Sequence, residues 1–256
     1  AMKIIFNTDW YHTIDNKIAI ALGSFDGIHK GHKKLIETLN DIKEQNNCDT
    51  MIYTFKEHPM TITSPNAAPL RITDNQQKIN ILRQLNIDYL VFNEFTTDFS
   101  KVSPEDFVDR YLLDKYNIDT VVVGYNFKFG IEGKGDVETL IQFGREKNFD
   151  VRVIPPVKLN GEIISSSKIR ILIEQGNIRK AANFLGYPYS LKGKVIRGDS
   201  RGRRLGFPTA NLKYDKMKVI PKKGVYLTLT LVDDIFIWGL TNVGNNKFTC
   251  ACLNWF

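Results

Sequence analysis

The sequence predicts an α/β protein in which a parallel sheet carries helices on both faces and a smaller all-β region follows. Three observations support this. Apolar runs of strand length alternate with helix-period segments through the first 185 residues. Those runs are apolar throughout rather than alternating with polar residues, as expected of strands buried on both faces. After "AANFLGYPYS" the helix period gives way to short strand-like runs with turn residues between them.

The elements follow in chain order. "KIAIAL" reads as a strand and "HKKLIETLNDIKEQ" as a helix with Leu35, Leu39 and Ile42 on one face. "TMIYTF" is a second strand. "NQQKINILRQL" places Ile79, Leu82 and Leu85 at helical spacing and leads into the strand "YLVF". "SPEDFVDRYLLDKY" opens with Ser103 as N-cap, Pro104 at the first helical position and acids in the first turn, then runs into "TVVVG". "DVETLIQFGREK" and "VRVIPPV" repeat the pattern. A parallel sheet of this kind carries its sites at the carboxyl ends of the strands. Gly186 and Pro188 end a last helix, so the domains are read as 1–186 and 187–256, the second with "KGKVI", "GVYLTLTLV" and "FIWGLTNV" as strands.

Composition narrows the class. The chain has 256 residues, 43% of them hydrophobic, enough for real cores. No apolar run approaches the ~20 residues that span a bilayer, and "AMKIIFNTDWYHTID" lacks the order of a secretory signal. No membrane association and a cytoplasmic location are therefore expected. Cys48, Cys250 and Cys252 are an odd number and lack metal-ligand spacing, so neither a disulfide framework nor a zinc site is suggested. The net charge of +7 is uneven: from Gly186 onward 12 Lys or Arg stand against four Asp, so the whole basic excess lies in the last quarter. Such an excess reads equally as a solvated surface or as a face toward something anionic.

"GSFDGIHKGH", residues 23–32, follows the first of these strands and opens the first of these helices. Gly23 and Gly27 permit sharp turns, and Gly31 permits close approach by a ligand or neighbouring strand. His29 and His32, three apart at a helix start, project to one side near the partial positive charge of the helix N-terminus. Imidazoles there can donate to a phosphate whose charge grows in the transition state. "SSSKIRILIEQG" offers Ser165, Ser166 and Ser167 at another helix start, followed by Lys168 and Arg170. Serines there commonly serve as caps; the two cations point instead to a triphosphate. "GYNFKFG" places Asn126, Phe127 and Phe129 just after a strand, where the aromatics are more often core than ligand contacts.

These residues carry a resemblance. "GSFDGIHKGH" resembles the HxGH signature of the nucleotidylyltransferases and, in its GxFDGxHxGH form, the bifunctional riboflavin kinase/FMN adenylyltransferase (FAD synthetase) family. "TFKEHP", "VVVGYNFKFG", "ISSSKIR" and "GKVIRGDSRGRRLGFPTANL" resemble further motifs of that family in its order, over nearly the whole chain. The resemblance implies a Rossmann-like nucleotidylyltransferase domain with a parallel sheet, then a small, shortened riboflavin-kinase-like β-barrel. It implies FMN and ATP as substrates, FAD and pyrophosphate as products, and magnesium held mainly by substrate phosphates.

The implied roles are specific. His29 and His32 act at the α-phosphate, with Asn126 and Arg170 also catalytic. Gly23, Ser24, Phe25 and Gly31 give close backbone contact to ATP, Ser165 and Ser167 also bind ATP, and Ser166, Lys168 and Arg170 take its β- and γ-phosphates. His58, Pro59, Asn126 and Phe127 hold FMN. The chain departs from the family pattern at Asn126, where Asp is common, at Lys128 and Lys168, where Arg is common, and at Lys56-Glu57 before His58. Lys keeps the charge but loses the two-pronged grip of Arg.

In "GFPTAN", Thr209 and Asn211 match ligands for magnesium and nucleotide phosphate in the kinase. The family's kinase also uses a downstream glutamate as base, and no glutamate follows Glu174 before the sequence stops at Phe256. Residues 187–256 are therefore expected to have lost kinase activity. Two rivals stand beside this reading: nucleotidyl transfer to another phosphate acceptor, which HxGH does not select, and a flavin- or RNA-binding protein with a vestigial catalytic half. No recognisable RNA module is present, so no specific nucleic-acid partner is expected.

Overall fold

A computed structural model describes residues 2–6, 14–196, 209–244 and 248–252. The chain divides into two compact units, residues 1–69 with 73–166, and residues 70–72 with 167–256.

The first unit is built on six strands, β1 (Lys3–Phe6), β2 (Ile18–Leu22), β3 (Asp49–Phe55), β4 (Tyr89–Asn93), β5 (Ile118–Gly124) and β6 (Asp150–Ile154). They stand in the order β1-β4-β3-β2-β5-β6, and every neighbouring pair is parallel. From β2 the chain adds β3 and β4 on one side, then returns to add β5 and β6 on the other. The reversal lies between β2 and β5, and ligands of open parallel sheets bind outside the carboxyl ends of the strands at that point. Five of the six strands are those the apolar runs mark. β1, four residues on the edge beside β4, is not, because so short a run carries no period to read.

Helices cover both faces. They are α1 (Lys30–Asn46), α2 (Met60–Thr63), α3 (Asn75–Arg83), α4 (Pro104–Asp106) and α5 (Val137–Lys147). Side chains alternate between the faces of a strand. Ile18, Ile20 and Leu22 of β2 join a core with Phe107, Val108 and Leu140, whereas Ala19 and Ala21 join one with Leu35 and Leu39 of α1 and Ile79 and Leu82 of α3. Each large side chain so enclosed contributes about 1.5–3 kcal/mol.

Two helices depart from expectation. Beyond α4, with Ser103 as N-cap, residues Phe107–Leu113 wind as a π-helix, and Asp114 N donates to Asp109 O at 2.8 Å. The wider turn brings Phe107 and Leu112, five apart, into the same core. α3 ends at Arg83, short of Leu85, because Asn86 takes a left-handed φ of 55° and turns the chain.

A short hairpin, β7 (Lys158–Leu159) and β8 (Glu162–Ile163), precedes the second unit. By contacts, most of α6 (Ser166–Glu174) and all of α7 (Ile178–Leu185) group with that unit, Ile169, Leu172 and Ile173 buried along one side of α6. Its strands are β9 (Gly193–Ile196), β10 (Ala210–Tyr214), β11 (Gly224–Val232), β12 (Ile235–Val243) and β13 (Phe248–Cys252). They form an antiparallel sheet in the order β11-β12-β13-β10-β9, strands consistent with the small barrel-like domain that the resemblance implies. Asp233 and Asp234, with φ of 46° and 64°, form the two-residue turn between β11 and β12, a conformation that Asp tolerates better than most residues. Arg71 pairs with Asp215 at 2.7 Å, and Arg71 N donates to Met217 O at 2.6 Å, so residues 70–72 lie along 217–219.

Candidate functional site

The loop from Gly23 to His29 leaves the carboxyl end of β2 at the reversal of strand order and enters α1. It is held in an unusual shape. Phe25 and Ile28 adopt left-handed φ of 47° and 34°, and Gly27 one of 82°. Such backbone costs a non-glycine residue about 1–3 kcal/mol, most for a β-branched one. The two side chains offset this by burial: both are fully enclosed in the core shared with α1.

Polar contacts pin the same loop. The buried Asp26 carboxylate accepts from Thr73 N at 3.0 Å and from Thr73 Oγ1 at 3.3 Å, while Gly27 N donates to Thr73 Oγ1 at 3.0 Å. Ser166 Oγ donates to Asp26 O at 2.8 Å. This serine stands at a helix start as the sequence reading expects, yet its hydroxyl is spent on the loop rather than on a cap. The Ser24 carbonyl accepts from Thr54 Oγ1 at 2.9 Å and from Lys78 Nζ at 2.8 Å. Gly23 N donates to Tyr53 O at 3.3 Å, and the nearest carbon of the Phe25 ring lies 3.3 Å from where a Cβ on Gly23 would sit.

His29 is the N-cap of α1: its Nδ1 accepts from His32 N at 3.3 Å. That bond leaves the proton of a neutral His29 on Nε2, which makes Nε2 a donor. The two imidazoles stack with centroids 3.7 Å apart and planes 14° from parallel, and the Phe25 ring lies 5.0 Å from His32. Burial lowers the His32 pKa well below the usual imidazole value, and the nearby His29 and Lys78 lower it further. His32 is therefore neutral at pH 7. Its Nδ1 is enclosed with no hydrogen-bond partner among the described residues, the condition of a polar atom awaiting a ligand. At Gly31 the room left by the missing side chain is bounded on one side by a ring. The close neighbour is the His29 ring itself, whose Cε1 and Nδ1 lie 3.0 Å from where a Cβ would be.

Four other expected residues lie at the same sheet edge. His58 and Pro59 follow β3; His58 Nδ1 accepts from Met60 N at 3.2 Å, and Pro59 is the N-cap of α2. Asn126 and Phe127 follow β5. Asn126 is exposed, and the partly buried Phe127 stacks on the buried Phe129 at 5.6 Å. Ser165 is partly buried. Ser167, Lys168 and Arg170 group with the second unit, where Arg170 Nε donates to Leu70 O at 2.8 Å. In the β region Thr209 is exposed, and Asn211 Oδ1 accepts from Thr249 Oγ1 at 3.0 Å. "GFP" of "GFPTAN", residues 206–208, lies outside the described residues. The structure thus gathers Gly23, Ser24, Phe25, His29, Gly31, His32 and Ser166 around one loop.

Sequence reasoning misses the supports of that loop. Asp26 and Thr73 are far apart in sequence, and Lys78 resembles any polar helix residue. The one signal for Lys78 is its place beside Ile79 and four residues before Leu82, on the face that is buried.

Among the described residues no three His, Cys, Asp or Glu side chains gather as a metal cluster. No helix among them is long and apolar enough to cross a membrane.

Comparison with known proteins gives a consistent result. The FAD synthetase family model matches residues 11–168, and the riboflavin kinase model matches residues 185–252. A bifunctional riboflavin kinase/FMN adenylyltransferase from Listeria monocytogenes is 36% identical over 90% of this chain and 73% of its own length. The protein of the same name from Bacillus subtilis is 34% identical over 95% of this chain and 78% of its own. The crystal structure of a macrolide-efflux protein from Streptococcus pneumoniae superposes with a TM-score of 0.89 at 27% identity, covering 100% of this chain and 85% of that one.

Proposed function

The chain belongs to the bifunctional riboflavin kinase/FMN adenylyltransferase family, and from that premise we propose that it is an FMN adenylyltransferase, converting FMN and ATP to FAD and pyrophosphate. The observation that carries this reading is the stacked, donor-bearing pair His29 and His32 at the start of α1, beside the reversal of strand order.

The chemistry follows from the substrates. The FMN phosphate is already an anion, so no base is needed to create the nucleophile. It attacks the α-phosphorus of ATP in line, the P–O bond to pyrophosphate breaks, and no covalent enzyme intermediate forms. The protein's task is positioning and charge stabilisation. His29 Nε2–H and the neutral His32 donate to oxygens whose charge grows in the transition state. The N–H groups of Lys30 and Gly31, ahead of the capped His32 N, and the N–H of Phe25 add backbone donors, an arrangement suited to phosphate. Lys168 and Arg170, close after Ser166 on α6, would take the β- and γ-phosphates. Asn126, Phe127, His58 and Pro59 would face FMN. Magnesium enters with ATP as the metal–nucleotide substrate, held mainly by phosphate oxygens and water, the usual habit of this ion.

We also propose that the 256-residue polypeptide is not a riboflavin kinase, although residues 185–252 match that family model. A neutral hydroxyl needs its proton removed as it attacks, unlike the FMN phosphate. Among the described carboxylates after residue 186, Asp215 is bound to Arg71 and to Met217 N, and Asp233 and Asp234 form a hairpin turn. These engagements of Asp215 and the turn at Asp233 and Asp234 support that reading.

The test is incubation of the folded protein with FMN, ATP and magnesium and separation of the flavins. FAD is expected; its absence would remove the reading.

A further inference from the structure

Lys78 lies on α3 and is only 5% exposed. Enclosing an ammonium costs several kcal/mol unless its hydrogen bonds are met. Here it donates to Ser24 O at 2.8 Å, lies 3.5 Å from Thr54 Oγ1, and sits 5.8 Å over the Phe92 ring. Thr54 Oγ1 donates to the same Ser24 carbonyl at 2.9 Å, so both lone pairs of that oxygen are taken from one side.

The direction of this carbonyl governs its neighbour. A trans peptide is planar, and its C=O and N–H point to opposite sides. With Ser24 O drawn toward Lys78, the Phe25 N–H is turned away from it. Among the described residues that N–H has no acceptor. Phe25 cannot relax out of the arrangement, because its ring is fully buried while its φ stays at 47°.

We propose that Lys78 is a positioning residue for adenylyl transfer: it holds the Ser24–Phe25 peptide so that the Phe25 N–H is presented to a phosphate oxygen of ATP, and it keeps a fixed positive charge behind that peptide. The proposal rests on the adenylyl-transfer reading above. It differs from the roles of the histidines in that Lys78 touches no reacting atom; it acts through a backbone donor that no side-chain substitution at position 25 would remove.

The test compares Lys78→Met, which keeps length and removes charge and hydrogen bonds, with Lys78→Arg, which keeps both. In FAD formation from FMN and ATP, Lys78→Met should lose about 100-fold in kcat, the scale for a small misplacement of a catalytic group, with little change in KM for FMN. Lys78→Arg should recover most of that loss. A readout that packing alone would not move is the His32 ring titration followed by NMR. The groups that set it besides burial are His29 and Lys78, so its midpoint should rise in Lys78→Met and stay in Lys78→Arg. Wild-type kcat in a folded Lys78→Met overturns the proposal. So does an unmoved His32 titration with both variants equally impaired, which would mean that Lys78 is packing alone. Should Lys78→Met fail to fold, Thr54→Val removes the second bond to the same carbonyl, and a kcat equal to wild type there counts against the proposal. If the wild-type protein itself forms no FAD, the reading under Proposed function falls, and the His32 titration still decides whether the Lys78 charge acts at the loop.

Discussion

Replacing Gly31 by alanine should separate catalysis from stability. An ideal Cβ at this position lies 3.0 Å from both Cε1 and Nδ1 of the His29 ring, where ordinary contact begins at 3.4 Å, so the ring must shift by a few tenths of an ångström or rotate. Its bond to His32 N is already long at 3.3 Å, and its stack on His32 is close at 3.7 Å; neither survives such a shift intact. The stability terms oppose each other. Alanine gains about 1 kcal/mol over glycine inside a helix, and loss of the His29 cap costs about 1 kcal/mol. The net change is near zero, within ~4 °C in Tm for a protein of this size. The catalytic term has no such offset, because the donor proposed for the α-phosphate is displaced, and kcat should fall about 100-fold. The assay is FAD formation from FMN and ATP, run beside thermal unfolding of the same preparation. Activity equal to wild type would refute the argument, as would a Tm lower by ~10 °C or more, which would make Gly31 a packing requirement.

Further outcomes follow from the same geometry. His29→Ala and His32→Ala should each slow FAD formation by about 100-fold or more, the scale for losing one donor aimed at transition-state charge, measured as kcat at saturating substrates. Because burial depresses the folded-state pKa of His32, its protonation favours the unfolded chain; this contribution to stability is complete above pH ~6.5 and is lost as pH falls from there toward the folded pKa. Urea unfolding of wild type and His32→Gln across that range should show the slope in wild type alone. Asp88 has the same sign at lower pH: burial pushes its pKa up, but bonds from Lys43 Nζ at 2.6 Å and from Thr50 more than offset this, leaving it lowered. Its stabilisation is complete above pH ~3.9 and is lost as pH falls through the folded pKa; Asp88→Asn should cost about 1.5–3 kcal/mol at pH 7 by denaturant titration. Riboflavin with ATP and magnesium should give no FMN, and FMN forming as fast as FAD does from FMN would show that a carboxylate in the β region acts as base.

The frame of the site was legible because burial on both faces leaves an unmistakable mark. "IAIAL" and "VVVG" can be little other than central strands, and the run of glycines and histidines after the first could be placed at a strand end without coordinates. The pair His29 and His32 was legible from spacing alone. Its details were not. That the His29 ring caps its own helix, and that this ring is what Gly31 makes room for, depends on a side-chain rotamer. The bond from Ser166 to Asp26 O joins residues 140 apart, and no period in the sequence predicts it. Lys78 was hidden for another reason: a lysine on a helix is normally solvated, and the groups that receive it here, the Ser24 carbonyl, Thr54 and the Phe92 ring, are distant in sequence. The π-helical turn after Asp106 escaped because its residues have ordinary helical preferences and the core decides their winding.

The central claim, direct transfer of the adenylyl group of ATP to the phosphate of FMN, is tested most directly by a single-turnover experiment with ATP labelled at the α- or the γ-phosphorus. The account predicts that the α label appears in FAD and the γ label in pyrophosphate, in equal amounts and at equal rates, with no label on the protein. An α label trapped on the protein, or a γ label released as orthophosphate without labelled FAD, would contradict it.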